Sequence, residues 1–329
     1  MAILEVKNLK MYYRTKTGTV RAVEDVSFTV NEGETFGLVG ESGCGKSATC
    51  RTISRLLPET AKVMNGSVEF EGRDLTTISE KEMTKVRGEG ISMIFQEPMT
   101  ALNPVLTIQQ QMYETLKRQK LTKEQMYQRS IELLRLVDIP EPERRMKQYI
   151  HQFSGGMRQR AMIAIALAAN PRLLLADEPT TALDVTIQHQ IIRLLNQLKK
   201  ELNMSVILVT HDLGVVRQMC DTVAVMYAGH IVETGACSEV LDNPRHPYTI
   251  GLIRSLPKDK DDRPRLDPIP GLPPDLSQEI PGCPFAPRCP HCTEKCLNEM
   301  PAVQDLGNGR SVRCHHTDSV MRGEASNAR

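Results

Sequence analysis

The chain has 329 residues, and its 41 lysines and arginines nearly balance its 40 aspartates and glutamates. Charged residues make up 25% and hydrophobic residues 40%, which excludes a disordered or fibrous protein. The near-neutral charge gives no reason to expect a nucleic-acid partner. The longest apolar run, 161–169, is less than half of the ~20 residues that span a bilayer, and the N-terminus lacks the apolar core of a secretory signal. We therefore expect a cytosolic chain that can sit on a membrane only through a partner.

Predicted strands and helices alternate along the first 250 residues. The pattern predicts two strands within residues 1–30 with a turn at Lys16-Thr17-Gly18, then strands at 35–40, 67–70, 91–95, 173–176 and 206–210. Helical patterns fall at 46–57, at 107–137 with a break near Leu121-Thr122, and at 155–169. Strand–helix alternation of this kind indicates an α/β core with a parallel sheet.

The C-terminal part has a different composition. Of the 20 prolines, 11 fall at or after Pro257, and no helix or strand of normal length fits between Pro264 and Pro290. We place a boundary near residue 250 and expect an irregular extension over 251–329. A region with so little apolar content needs an additional stabilising constraint, such as a bound metal, in order to fold.

The most specific motif follows the strand at 35–40. Residues 40–47 read Gly-Glu-Ser-Gly-Cys-Gly-Lys-Ser, a match to GxxxxGK[ST] between a strand and a helix. The glycines let backbone N–H groups converge on phosphate oxygens at the positive end of the helix. Lys46 is predicted to reach the β- and γ-phosphates and Ser47 to ligate Mg²⁺. The predicted phosphate contacts are Ser42, Gly43, Cys44, Gly45, Lys46 and Ser47.

Two further motifs bear on the same chemistry. The apolar strand at 173–176 ends in Asp177-Glu178, where Asp177 is expected to hold Mg²⁺ through water and Glu178 to polarise the attacking water. Ser154 and the glycines after it open an apolar helix, which makes a second anion site. One chain needs one such site per triphosphate, so this second site is expected to contact the γ-phosphate of a nucleotide held by another chain.

Together these motifs resemble the ATP-binding cassette ATPases over residues 1 to about 250. The resemblance implies that Tyr13 stacks on adenine, that Gln96 senses Mg²⁺ and the attacking water, and that His211 touches the γ-phosphate. It also implies that Ala182-Leu183-Asp184 crosses a dimer interface and that Ser154, Gly155 and Gly156 complete the partner's site. Residues 153–157 match the signature motif of this family. Phe153 and Met157 depart from its commonest form, which has leucine and glutamine at these positions, but the serine and the glycines remain.

The implied architecture is α/β, with a phosphate-loop core, an antiparallel β subdomain and a helical subdomain at about 100–165. A small irregular domain containing cysteines follows it at 251–329. Residues 96–104, the sequence His-Pro-Tyr-Thr at 246–249 and the tail at 283–290 resemble the oligopeptide, dipeptide and nickel importers, and the D-type ATPase subunit most closely. That subgroup implies a homologous second ATPase, two membrane permease subunits and a substrate-binding protein, at the cytoplasmic face of the bacterial inner membrane. The segment from Met99 to about Met112 would then receive a short helix of a permease.

Five cysteines lie in the tail, with the spacing Cys283-x₅-Cys289-x₂-Cys292-x₃-Cys296-x₁₇-Cys314. From spacing alone, zinc or an iron–sulfur cluster fits, and zinc is the commoner. The resemblance instead favours a 4Fe-4S cluster on Cys283, Cys289, Cys296 and Cys314, with zinc or unligated thiols as alternatives.

Three other functions compete with a peptide-importer ATPase. The first is the same role in a nickel or glutathione importer, which this subunit's sequence does not distinguish. The second is a soluble cassette ATPase acting on DNA or ribosomes, disfavoured by the single phosphate loop and the lack of a long heptad run. The third is an iron–sulfur protein with a vestigial cassette, which the intact Lys46, Asp177, Glu178 and His211 argue against.

Overall fold

The computed structural model describes residues 1–16, 18–181, 183–255 and 268–317. Its strands are β1 (Ala2–Thr15), β2 (Gly18–Asn31), β3 (Thr35–Val39), β4 (Ala61–Phe70), β5 (Arg73–Asp74), β6 (Ile91–Ile94), β7 (Leu173–Asp177), β8 (Ser205–Thr210), β9 (Thr222–Tyr227), β10 (His230–Ala236), β11 (Gln304–Gly307) and β12 (Arg310–Val312). Its helices are α1 (Lys46–Ile53), α2 (Glu80–Glu89), α3 (Pro98–Ala101), α4 (Ile108–Leu116), α5 (Lys123–Leu136), α6 (Pro142–Arg145), α7 (Gly155–Leu167), α8 (Val185–Glu201), α9 (Leu213–Met219), α10 (Cys237–Asp242), α11 (Pro247–Arg254) and α12 (Glu294–Asn298). Thr17 and Ala182, named in the predicted turn and interface loop, lie outside the described residues.

The chain forms two compact units, and the first comprises Met1, 30–35 and 77–209. Its strands β6, β7 and β8 are parallel neighbours in that order. All five residues of β7 are buried, as expected for a parallel strand covered on both faces. The predicted helix break is confirmed, because Thr122 caps α5 and forms a capping box with Gln125.

The second unit comprises 2–29, 36–76 and 210–329, of which Thr17, 256–267 and 318–329 lie outside the described residues. One sheet has the order β2-β1-β4-β5, with β4 antiparallel to both of its neighbours. The other strands of this unit follow the order β11-β12-β10-β9-β3, where only the β9–β3 pair is parallel. The predicted α/β class with parallel strands is confirmed.

Two predicted helices are shorter than the sequence pattern suggests. Helix α1 ends at Ile53 rather than 57, because Arg55 adopts a left-handed φ of 51° that stops the helix. Helix α7 ends at Leu167 rather than 169, and the left-handed residue there is Asn170, with a φ of 51°. Periodicity does not reveal such endings when no glycine or proline marks them.

The C-terminal stretch is irregular, as predicted. Of the described residues 268–290, only Ala286–Arg288 forms a helical turn. The described residues of this stretch cluster with the second unit, so a separate small C-terminal domain is not confirmed, and the boundary near 250 stays a prediction. None of the helices in the described part of the chain has both the length and the apolar content needed to cross a membrane.

Candidate nucleotide-binding site

The loop between β3 and α1 has a backbone conformation that favours glycine. Gly43 and Gly45 have φ values of 78° and 107°, in the left-handed region. A Cβ on Gly45 would also lie 2.3 Å from the carbonyl oxygen of Ala22. The chain therefore turns sharply at Gly45 and starts α1 with its first N–H groups pointing into the turn, which is the geometry of an anion site.

Lys46 lies inside this loop. Its side chain is buried, with 4% exposed, and Nζ donates hydrogen bonds to the carbonyl oxygens of Gly40 and Glu41 at 2.8 Å each. An ammonium group has three donors, and a buried one needs anionic or polar partners. The glycine loop, the helix start and this buried cation together fit a polyphosphate. Lys46 would hold its oxygens, and Ser47, the next residue of α1, would hold its Mg²⁺.

Two adjacent tyrosines of β1 have different environments. The Tyr12 hydroxyl donates to Glu24 Oε2 at 2.5 Å, and burial together with that carboxylate raises the pKa of Tyr12 to about 12. Tyr13 projects from the opposite face of the strand, where burial raises its pKa and the Arg51 guanidinium of α1 partly offsets the rise. Tyr13, the predicted adenine contact, therefore lies on the side of β1 that is influenced by the helix following the phosphate loop.

The acidic pair ends β7 in the first unit. Asp177 is 1% exposed, and Glu178 follows it with a left-handed φ of 47°. This conformation is strained for a residue with a side chain, and such strain is concentrated at functional sites. The Glu178 backbone N–H donates to the carbonyl of Val209 at 2.9 Å, and this bond fixes the backbone where it changes direction after β7.

The Glu178 carboxylate is oriented by two donors. Its Oε2 accepts hydrogen bonds from Gln96 Nε2 at 3.1 Å and from Thr181 Oγ1 at 2.8 Å. Two sequence-predicted catalytic residues, 82 positions apart in the chain, are thus brought into direct contact. Thr181 was not predicted, although a hydroxyl three residues after a catalytic carboxylate is a signal that the sequence contained.

The predicted signature opens α7. Ser154 is its N-cap and accepts from the Met157 N–H at 3.4 Å, while Phe153 is buried beneath the Arg145 guanidinium, 5.8 Å from its ring centroid. Ser154 and Gly155 are exposed. The leucine-to-phenylalanine departure therefore affects a packing position and leaves the serine on the surface.

Helix α8 lies against the signature. A Cβ on Gly156 would sit 3.0 Å from Ile187 Cγ2, so glycine eases the close approach of the α8 side chain to the start of α7. Asp184 caps α8 by accepting from the Ile187 N–H at 2.9 Å, and it is exposed. Asp184 and the signature thus lie close together at the starts of two packed helices.

His211 follows Thr210 in the second unit and is exposed. The next residue, Asp212, caps α9 by accepting from the Gly214 N–H at 2.8 Å, and its own N–H donates to Thr210 Oγ1 at 3.0 Å. These bonds fix the backbone on the C-terminal side of His211. Tyr13, the phosphate loop and His211 belong to the second unit, and Gln96, Asp177, Glu178, Ser154 and Asp184 to the first.

The prediction of an iron–sulfur or zinc site is wrong. Among the described residues, no group of three or more histidines, cysteines or acids is arranged to hold a metal ion. Burial and the neighbouring thiols raise the pKa of Cys283 to about 11 and that of Cys289 to about 12. Cys296 and Cys314 are buried free thiols, whereas Cys283 and Cys289 are partly exposed. The tail is instead held by backbone contacts such as Cys283 N–H to Cys296 O at 2.7 Å.

The chain matches two protein families. Residues 23–181 match the ABC transporter family, and residues 232–296 match the oligopeptide/dipeptide transporter C-terminal region. The chain is 49% identical to the dipeptide transport ATP-binding protein DppD of Bacillus subtilis over 98% of both chains. It is 48% identical to the oligopeptide transport ATP-binding protein OppD of Salmonella typhimurium, over 95% of this chain and 93% of that protein. Both relatives are named as ATP-binding proteins of peptide transport.

Solved structures match the fold. The dimeric post-hydrolysis structure of the ATP-binding cassette MJ0796 with ADP and Pi superposes with a TM-score of 0.64 at 30% identity, covering 71% of this chain and 98% of that one. CbiO1 of Clostridium perfringens, part of the transporter complex cbiONQ, gives 0.63 at 29% identity, covering 74% and 91%.

Proposed function

Since the chain belongs to the ABC transporter ATPases, in the group of dipeptide and oligopeptide importers, we propose that it hydrolyses ATP to drive peptide uptake through two membrane permease subunits. The observation that carries this proposal is the sequence identity of 49% to DppD and 48% to OppD, over 98% and 95% of this chain. The match extends over residues 232–296, which fit the oligopeptide/dipeptide transporter C-terminal region. It favours a peptide importer over a nickel or glutathione importer and over a soluble cassette ATPase.

The residues divide the chemistry between them. On the phosphate loop, Lys46 would hold the phosphates and Ser47 the Mg²⁺, for which Asp177 would be a further holder, and Tyr13 would stack on the adenine. Glu178, fixed by Gln96 and Thr181, accepts the proton of the attacking water, and His211 contacts the γ-phosphate. Bound MgATP supplies the phosphoanhydride bond that is broken. Catalysis of this type depends mostly on positioning and electrostatics.

The signature face supports pairing with a homologous second ATPase. Ser154, Gly155 and Asp184 are exposed on this face, and beside them Val185 has 70% of its surface exposed. Exposed small and polar residues at two helix starts, with an exposed valine beside them, leave this face accessible to a partner. In the proposed dimer each ATP lies between one chain's phosphate loop and the other's signature, so neither chain hydrolyses it alone.

The segment after Gln96 supports a contact with a permease. Val105 is 74% exposed and Met99 is 43% exposed. The loop between them is nevertheless rigid, because buried Gln111 accepts from the Asn103 N–H at 2.9 Å and donates to the carbonyls of Asn103 and Leu106 at 3.1 Å each. A rigid loop with an exposed apolar tip, linked in sequence to Gln96, is suited to receive a short permease helix. Such contact would hold the chain at the cytoplasmic face of the inner membrane. A substrate-binding protein would act on the permeases from the other side of that membrane.

Reconstitution tests the proposal. The full chain is assembled with its partner ATPase and permeases in proteoliposomes, and uptake of a labelled dipeptide is measured with MgATP and the binding protein. Uptake is expected with wild-type chain and is lost with Lys46→Ala. Uptake of nickel or glutathione in place of peptides contradicts the peptide assignment, and uptake that survives Lys46→Ala contradicts the role of this phosphate loop.

A further inference from the structure

Arg288, in the proline-rich tail, is a buried cation with a full set of partners. It is 7% exposed, and its Nε donates to the carbonyl of Pro270 at 2.9 Å. The two terminal nitrogens donate to both oxygens of Glu41, at 2.7 and 3.0 Å. They also reach the Tyr227 hydroxyl at 3.2 Å and the carbonyl of Ile269 at 3.4 Å. A guanidinium has five N–H donors, and here all five are used.

Glu41 is the second residue of the phosphate loop, and it is held twice. Its carboxylate forms the bidentate pair with Arg288, and its backbone N–H donates to the Tyr248 hydroxyl at 2.9 Å. Its carbonyl accepts from Lys46 Nζ at 2.8 Å. The peptide that helps to cradle the phosphate-loop lysine is therefore anchored by residues from the C-terminal part of the chain.

Aromatic rings make this anchor rigid. Tyr227 and Tyr248 have ring centroids 4.6 Å apart, and the Phe285 ring lies 5.2 Å from Tyr227 and 5.4 Å from Tyr248. The Arg288 guanidinium stacks over Tyr227 at 5.7 Å. All three aromatic side chains are fully buried or nearly so, and packed aromatics of this kind resist displacement.

A carboxylate in a phosphate-binding loop has an electrostatic cost. An unpaired Glu41 would carry the same sign as the polyphosphate a few residues away and would weaken its binding. The bidentate Arg288 pair neutralises that charge and holds the carboxylate in a fixed direction. We propose that Arg288 is a positioning residue, through which the C-terminal extension fixes Glu41 and sets the affinity of the phosphate loop for MgATP. The inference rests on the proposed ATPase function.

Nucleotide affinity of the full-length chain tests this role. We expect Arg288→Ala to raise the dissociation constant for MgATP about tenfold, from repulsion by unpaired Glu41 and a looser loop. Adding Glu41→Gln removes the charge, and the double variant is expected to return to within about threefold of wild type. Rising salt should narrow the gap between Arg288→Ala and wild type, because screening weakens the repulsion. The matched control is Arg313→Ala, which breaks a part-buried pair with Asp25 at 2.8 Å in the same unit and should leave the affinity unchanged.

Several results would overturn the inference. A folded Arg288→Ala chain with wild-type affinity contradicts it, and so does a double variant that binds as weakly as the single one, since that indicates a merely structural contact. If Arg288→Ala does not fold, Arg288→Lys keeps the charge without the bidentate geometry and should bind about threefold more weakly; no change contradicts the role. Hydrolysis by wild-type chain in the assembled complex is measured alongside. Its absence contradicts the proposed function, whereas wild-type hydrolysis with unchanged variant affinities contradicts only the role of Arg288.

Discussion

The side-chain amide of Gln96 donates to the carboxylate of Glu178, with 3.1 Å between Nε2 and Oε2. This contact joins the segment that would meet a permease to the residue that would activate water. We predict that Gln96→Ala lowers kcat for ATP hydrolysis about tenfold while the KM for ATP changes little, because Glu178 loses an orienting donor but the phosphate loop is untouched. Steady-state phosphate release by the reconstituted complex measures both. An unchanged kcat would show that the contact has no part in turnover.

The phosphate loop provides a matched pair of glycine substitutions. Gly43→Ala meets open space but must keep a φ of 78°, which costs about 1 kcal/mol. Gly45→Ala must keep a φ of 107° and also places its Cβ 2.3 Å from the backbone oxygen of Ala22. We expect Gly45→Ala to lower the free energy of unfolding by at least about 2 kcal/mol more than Gly43→Ala, measured by urea denaturation. Equal losses would mean that this backbone contact does not constrain the loop.

Two exposed valines allow the two proposed partner faces to be tested independently. Val185 and Val105 are 70% and 74% exposed, so Val185→Glu and Val105→Glu should each change the stability of the isolated chain by no more than about 0.5 kcal/mol. Val185→Glu is expected to abolish ATP-dependent pairing with the second ATPase, measured by light scattering. Val105→Glu should leave pairing intact and weaken binding to the permeases. The reverse pattern, or no effect from either change, would contradict the assignment of the faces.

His246 gives stability a pH dependence. Burial lowers its pKa from 6.5 to about 3, and its Nδ1 accepts from the Tyr248 N–H at 3.0 Å. Between pH 6.5 and 3 the unfolded chain takes up a proton that the folded chain does not, so this contribution to stability is full above 6.5 and declines as the pH falls.

In His246→Asn, the asparagine oxygen can accept the same backbone hydrogen bond. The slope of the unfolding free energy against pH should then be shallower, by the equivalent of about one proton taken up on unfolding. His230, whose pKa burial lowers to about 4, retains its own contribution in that variant. Urea denaturation between pH 4 and 7 measures the slope. An identical slope in the variant and wild type would show that His246 is not kept neutral by folding.

Sequence reasoning worked best where local chemistry dictates local shape. The glycine-rich phosphate loop, the buried run of β7 and the helix break near Thr122 each follow from local sequence, and all three were predicted. Helix ends at Ile53 and Leu167 were overestimated, because left-handed Arg55 and Asn170 stop the helices without a glycine signal.

Contacts between distant parts of the chain could not be predicted in this way. Nothing local to Arg288 shows that it reaches Glu41, 247 residues away. The cysteine spacing suggested a ligand set, but spacing does not fix the directions in which thiols point, and the described residues form no metal-holding group. Residue roles that come from tertiary packing require the structure.

Replacing Glu178 with Gln is the most direct test of the account, since it keeps the shape and removes the base. In the assembled complex, with the second ATPase carrying the equivalent change, we expect ATP hydrolysis to fall by about 10³-fold or more. ATP-dependent closure of the two ATPases should persist, with unhydrolysed ATP recovered from the closed complex. Hydrolysis at the wild-type rate, or failure of the two subunits to close on ATP, would contradict the claim that Glu178 activates water in a nucleotide site shared by two chains.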